Sequence, residues 1–359
     1  MKTTCAKLKF FITALLFFFL VPLSSPAFSY EEPWSQIEAR TKPITAKRKI
    51  DYKRIKSTYK KYSIPFKVIL PQDYEANSTK KYGVVLLLCG ASGARRGAGS
   101  EPLYFSVWCK WPRLMDNLCK NALVKKDFEH MISDEELKDF NEKLTKDSFE
   151  DFIVVDMWHP SSSRDADFDK FVTLELLKYL DDNYRTIADR MFRAIDGACG
   201  GGANGLMIAF RNPEFFGAAG GMQTDLGSYP GIFKSFSENA DKIKTYGMSF
   251  NLNTNRNDVC NSYDFNYKKD AAGNKIKTPS GELARFADLI EKAGFPLIVT
   301  VFKYCSHGYS AYRYPNGHQS MYFYSSFFKK NRETHKDKGD VKGEAGKTTA
   351  PQTEEVKIK

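Results

Sequence analysis

Two stretches constrain the fold more than anything else in the chain: "YGVVLLLCG" (82–90) and "DFIVVDMW" (151–158). Each is a continuous apolar run rather than an alternating one, so each has to be covered on both faces, as in the interior of a mostly parallel sheet. "IPFKVILP" (64–71) alternates and ends at Pro71, which suits an outer strand. "FRAIDGAC", "FGAAGGMQ", "YGMSFNLN" and "PLIVTVFKY" (296–304) supply further strands. Between them, "DKFVTLELLKYLDDNY" (169–184) places Phe171, Leu174, Leu176, Leu177 and Leu180 at helical spacing, and "SGELARFADLIEKAGF" (280–295) and "GHQSMYFYSSFF" (317–328) also read as helices. Strands alternating with helices imply an open α/β architecture with helices on both faces of the sheet.

The N-terminus follows a different logic. Lys2, Lys7 and Lys9 precede the apolar run "FFITALLFFFLVPL", and "SSPAFS" then offers small residues at a cleavage point, so 1–29 reads as a secretory signal. The run is shorter than the roughly 18 residues of a spanning helix; the mature chain is therefore expected to be secreted or periplasmic, with no membrane span. Residues 30–62 lack a clean hydrophobic period and read as a basic arm, 63–328 as the folded domain, and 329–359 as a charged, disordered tail. The net charge of +11 falls to +8 without the three signal lysines. Its dispersed lysines come with no nucleic-acid motif, so no nucleic-acid partner is expected. The six cysteines beyond Cys5 are too few for a disulfide scaffold, and no C-x-x-C pair marks a zinc site.

The chemistry concentrates in "AIDGACGGGANG" (194–205). Glycines flank Cys199 between a buried strand and a helix, the setting of a nucleophile elbow, where a strained turn exposes the reactive atom at a helix N-terminus. Exposed amides and the helix dipole there favour a thiolate.

The stretch "DFDKFVTLELLKYLDDNYRTIADRMFRAIDGACGGGANGLMIAFRNPEFFGAAGG" (167–221) resembles the esterase D and feruloyl esterase branch of the α/β-hydrolases, and the likeness continues more weakly but collinearly from about 63 to 328. The resemblance implies an α/β-hydrolase fold and a nucleophile, acid and base in that chain order, acting on a small-molecule or glycan-linked ester without a cofactor or metal. The family's serine falls on Cys199. Its acid falls on Asp258 in "LNTNRNDVC", with Asp225 as the rival, and its base on His318 in "YPNGHQSMYFY", with His307 of "CSHGYS" as the rival. The oxyanion amides fall on Ala91 and Gly200, since backbone N–H groups suffice for that task.

Three residues depart from the family pattern: Cys89 stands where a histidine precedes the oxyanion glycine, Asp196 where a small apolar residue precedes the elbow, and Gly200 where methionine is usual. A cysteine nucleophile on this fold resembles dienelactone hydrolase. The departures leave a second reading open, an inactive homologue that binds a glycan or acyl ligand. They also leave open a redox-gated site in which Cys89 pairs with Cys199. The aromatic stretches "YFSVWCKW" and "GYSAYRYP" are expected on loops facing the site.

Overall fold

A computed structural model describes residues 48–337 apart from 98–101, 121, 161–164, 259, 261 and 270–274. The signal-like segment, most of the arm and the end of the tail lie outside the described residues.

The expected sheet is present. It has eight strands: β1 (Ile50–Lys56), β2 (Ser63–Ile69), β3 (Val84–Leu88), β4 (Ile153–Met157), β5 (Arg193–Gly197), β6 (Ala218–Met222), β7 (Ser249–Asn257) and, last in the chain, the strand Leu297–Ser306. The spatial order is β1-β2-β4-β3-β5-β6-β7 and then Leu297–Ser306. The β1–β2 and β2–β4 pairs are antiparallel, and every later pair is parallel. Both continuous apolar runs became fully buried neighbours, β3 and β4. Helices cover the two faces. On one side Phe210, Phe236, Phe250, Phe286 and Phe295 form a cluster of edge-to-face rings that joins helices Gly200–Arg211, Gly231–Tyr246 and Glu282–Lys292 to the sheet. The final helix, Asn316–Asp337, packs on β6 and β7.

Three expectations are corrected. Residues 50–56, assigned to an arm, form edge strand β1, which alternates between half-buried and exposed positions and escapes a hydrophobic-period reading because it buries neither face fully. Arg48 just before it is buried and pairs with Asp116 at 2.6 Å and Asp151 at 2.5 Å. With β1 outside it, β2 is an interior strand, not an outer one. The last helix runs nine residues past Phe328, where the tail was expected to start: Lys329 pairs with Asp147 and Arg332 with Glu150, so ion pairs support a turn with little apolar content. A hairpin, β8 (Phe265–Lys269) with β9 (Lys275–Pro279), was missed altogether, because its sequence is polar and lysine-rich. The strand Leu297–Ser306 is therefore β10.

Candidate functional site

In an open parallel sheet, sites form beyond the carboxyl ends of the strands. The loops after β3, β5, β7 and β10 all emerge at that edge, and each carries one component of the site.

Cys199 follows β5 with φ 54° and ψ −121°, a strained backbone conformation for a residue with a side chain. Helix Gly200–Arg211 starts directly behind it, so the thiol sits at a helix N-terminus as expected. The turn fits only because its neighbours are glycines. A Cβ on Gly201 would lie 2.2 Å from the carbonyl oxygens of both Leu88 and Cys89. That close approach also locks the elbow against the end of β3, where Ala198 N–H donates to Leu88 O at 3.2 Å. It brings the start of the Ala91–Ala94 turn beside the start of the elbow helix, and the N–H groups of Ala91 and Gly200 have no backbone acceptor among the described residues. The space freed by Gly200 does not widen a pocket: the Tyr229 hydroxyl occupies it, 2.8 Å from where a Cβ would stand.

Asp258 directly follows β7, buried, and accepts three hydrogen bonds: from Thr254 Oγ1 at 2.6 Å, from Cys260 N–H at 3.0 Å and from His307 Nδ1 at 2.9 Å. A carboxylate held in this way fixes the ring's tautomer, placing a proton on Nδ1 and turning Nε2 outward. The Tyr312 hydroxyl lies 3.0 Å from that Nε2. Burial alone would lower the proton affinity of His307. Interactions with Asp258, Cys199 and Cys260 overcome it, so the pKa of His307 is raised above the ordinary histidine value.

The histidine paired with Asp258 is thus His307, and the assignment to His318 is corrected. His318 lies inside the final helix, fully buried, with its ring centroid 4.3 Å from that of Phe128 and 5.6 Å from that of Tyr314. Neither of its ring nitrogens makes a hydrogen bond of normal geometry. Burial pushes its pKa down to about 3, so it is a neutral core residue at physiological pH. Asp225, the rival acid, accepts instead from Ser228 N–H within its own loop.

Asp196 lies below the elbow, fully buried. It turns toward neither Arg193, which pairs with Asp181, nor Arg190, which donates to backbone carbonyls. It accepts from Gly197 N–H at 2.6 Å and Tyr324 OH at 2.9 Å. Burial outweighs these bonds and lifts its pKa to about 7, so near neutral pH much of it is uncharged.

Sequence reading missed Gln223. Buried and held at φ 46°, it donates to Asn255 Oδ1 at 2.9 Å and Ser306 O at 3.2 Å, and it accepts from Gly308 N–H at 3.0 Å. It thereby ties the ends of β6, β7 and β10 together on either side of His307. An isolated glutamine carries no sequence signal for such a role. The aromatic stretches do converge here: Tyr104 packs on Trp108, Tyr309 and Tyr312 with centroids 5.3–6.1 Å apart. All six cysteines beyond Cys5 are free, so the pairing of Cys89 with Cys199 is not formed.

The family model described as a putative esterase matches residues 57–225, a span that contains the elbow but stops short of Asp258 and His307. A solved ferulic acid esterase superposes with a TM-score of 0.55 at 16% identity over 78% of this chain and 98% of its own. The fluorophosphonate-binding serine hydrolase F of Staphylococcus aureus, in a substrate-bound structure, does so with a TM-score of 0.50 at 10% identity over 77% and 98%. The chain has the α/β-hydrolase fold. Within that α/β-hydrolase architecture the elbow, the loop after β7 and the loop after β10 occupy the order the fold demands. A search of curated proteins found none that matches this sequence. Among the described residues no helix is long and apolar enough to cross a membrane.

Proposed function

We propose that this protein is an exported ester hydrolase in which Cys199, His307 and Asp258 act as one unit. The observation that carries the reading is the 2.9 Å bond from His307 Nδ1 to buried Asp258, made beside a thiol on a strained elbow. His307 takes the thiol proton as sulfur bonds to the acyl carbon, and the carbonyl electron pair moves onto oxygen, where the Ala91 and Gly200 amides receive it. The carbon–oxygen bond to the alcohol then breaks, and the alcohol leaves with the proton from His307. Water, deprotonated by the same imidazole, cleaves the resulting thioester and returns Cys199. Export is supported by the signal-like segment 1–29.

The wall formed by Tyr104, Trp108 and Tyr309 suits an aromatic acyl group, and the neighbour named a ferulic acid esterase agrees with that choice. The test is hydrolysis of p-nitrophenyl esters, acetate beside cinnamate, by wild type, Cys199→Ala and Cys199→Ser. The reading expects no activity in the alanine variant, a reduced but measurable rate in the serine variant, and a preference for the aromatic acyl group.

One observation favours a second reading, binding without turnover: the Tyr312 hydroxyl sits on His307 Nε2, the nitrogen that has to accept the thiol proton. Tyr312→Phe separates the two. A hydrolase keeps or gains activity when that competitor is removed, whereas a binding protein is inert in both forms.

A further inference from the structure

The mechanism leaves one nucleophilic side chain at the site without a task. Cys260 stands two residues after Asp258, half-buried, and its thiol interacts with the His307 ring. One donor atom each from Asp258, Cys260 and His307 lie within 4.8 Å of one another. Cys199 interacts with the same imidazole. A thiol, an imidazole and a carboxylate this close together form a borderline-soft donor set, the type that selects zinc over magnesium or calcium.

We propose that Asp258, Cys260 and His307 form a zinc site, and that its occupancy switches the hydrolytic unit off. Donors at bond lengths of about 2.0–2.3 Å around a tetrahedral ion stand about 3.3–3.8 Å apart. A spacing within 4.8 Å therefore closes with side-chain adjustments of an ångström or so. Binding displaces the proton of the Cys260 thiol and that of His307 Nδ1 to solvent. No carbon bond forms and no electron is transferred, so chelation reverses it. The ion takes the carboxylate and the ring nitrogen bonded to it, so while it is held His307 loses the Asp258 hydrogen bond that orients it. The geometry also explains why sequence reading finds no zinc motif: Cys260 and His307 are 47 positions apart, and the fold, not a short spacing, brings them together.

The inhibitory part rests on the hydrolase reading; the binding part does not. Zinc affinity of the full chain is measured without substrate by competition with a chromophoric chelator, and cobalt in place of zinc reports sulfur ligation through thiolate-to-cobalt charge-transfer absorption. The expected result is one ion per chain, a cobalt thiolate band, at least tenfold weaker zinc binding in Cys260→Ser, and unchanged binding in Cys119→Ser, whose thiol lies near Arg48, away from the site. Zinc affinity in Cys260→Ser equal to wild type, or cobalt bound without thiolate absorption, overturns the site. The cobalt measurement uses wild-type protein and stands whether or not the variant folds. Zinc binding as expected in a chain with no esterase activity even when metal-free counts against the hydrolase reading and leaves the metal site intact.

Discussion

Two histidines eleven positions apart lead opposite lives in this molecule. His307 sits on the loop after β10, partly open, with Nδ1 on a buried carboxylate, Nε2 facing a phenol, and the ring interacting with the thiols of Cys199 and Cys260. His318 is sealed in an aromatic box of Phe128, Phe140 and Tyr314, with no hydrogen bond of normal geometry. Both follow the last strand, and the Gly-His pair at 317–318 looks more like the family pattern. The fold reverses that preference, because the final helix carries His318 into the core whereas the end of β10 points His307 at the elbow. A histidine's neighbours in sequence say little about its task; its protonation partner decides.

The contrast breaks most visibly in kinetics. His307→Ala is expected to lower kcat/KM by about 10²–10⁴-fold, the usual worth of a general base, whereas His318→Leu stays within about threefold of wild type in the same assay. Equal losses in the two variants would erase the distinction. Next in size is the frame around His307. Gln223→Ala frees the loop ends it ties together, and a displacement of about 1 Å at a reacting group is worth about 10²-fold in rate. The loss is expected in kcat with KM little changed.

The next two effects are read in stability against pH. Asp196 has a folded pKa of about 7, above the unfolded carboxyl value, so between about pH 4 and 7 the native state keeps a proton that the unfolded chain releases. Wild-type stability therefore declines as pH rises through that window. Asp196→Asn removes the decline and is expected to be more stable relative to wild type at pH 8 than at pH 4 by roughly 2–4 kcal/mol in urea unfolding. His318 shows the opposite sign. Its folded pKa of about 3 lies below the ordinary histidine value, so stability is present above about pH 6.5 and is lost as pH falls, because the unfolded chain takes up the proton first. His318→Leu is expected to lose about 1–2 kcal/mol less than wild type between pH 7 and 5.

Much of this was legible beforehand. Continuous apolar runs announced β3 and β4, since burial on both faces leaves no room for polar alternation, and the glycines around Cys199 announced a turn pressed against the end of β3. What escaped reading was held by polar contacts without a period. Strand β1 buries too little to show one, the β8–β9 hairpin is polar and lysine-rich, and Gln223 acts through three hydrogen bonds to residues scattered over 85 positions. Asp258 was singled out because the family resemblance puts the acid after the next-to-last strand of the sheet. His307 stood only as the rival to His318 because loop direction after β10 is set by tertiary contacts, Gln223 to Gly308 among them.

The central claim is that Cys199 becomes covalently acylated and that His307, not His318, makes it reactive. Rapid acid quench of the protein with p-nitrophenyl cinnamate, followed by peptide mass spectrometry, tests it most directly. The account predicts a cinnamoyl adduct on the peptide containing Cys199 in wild type and in His318→Leu, and its loss in His307→Ala. An adduct on another residue, or one that forms as fast in His307→Ala as in wild type, would contradict it.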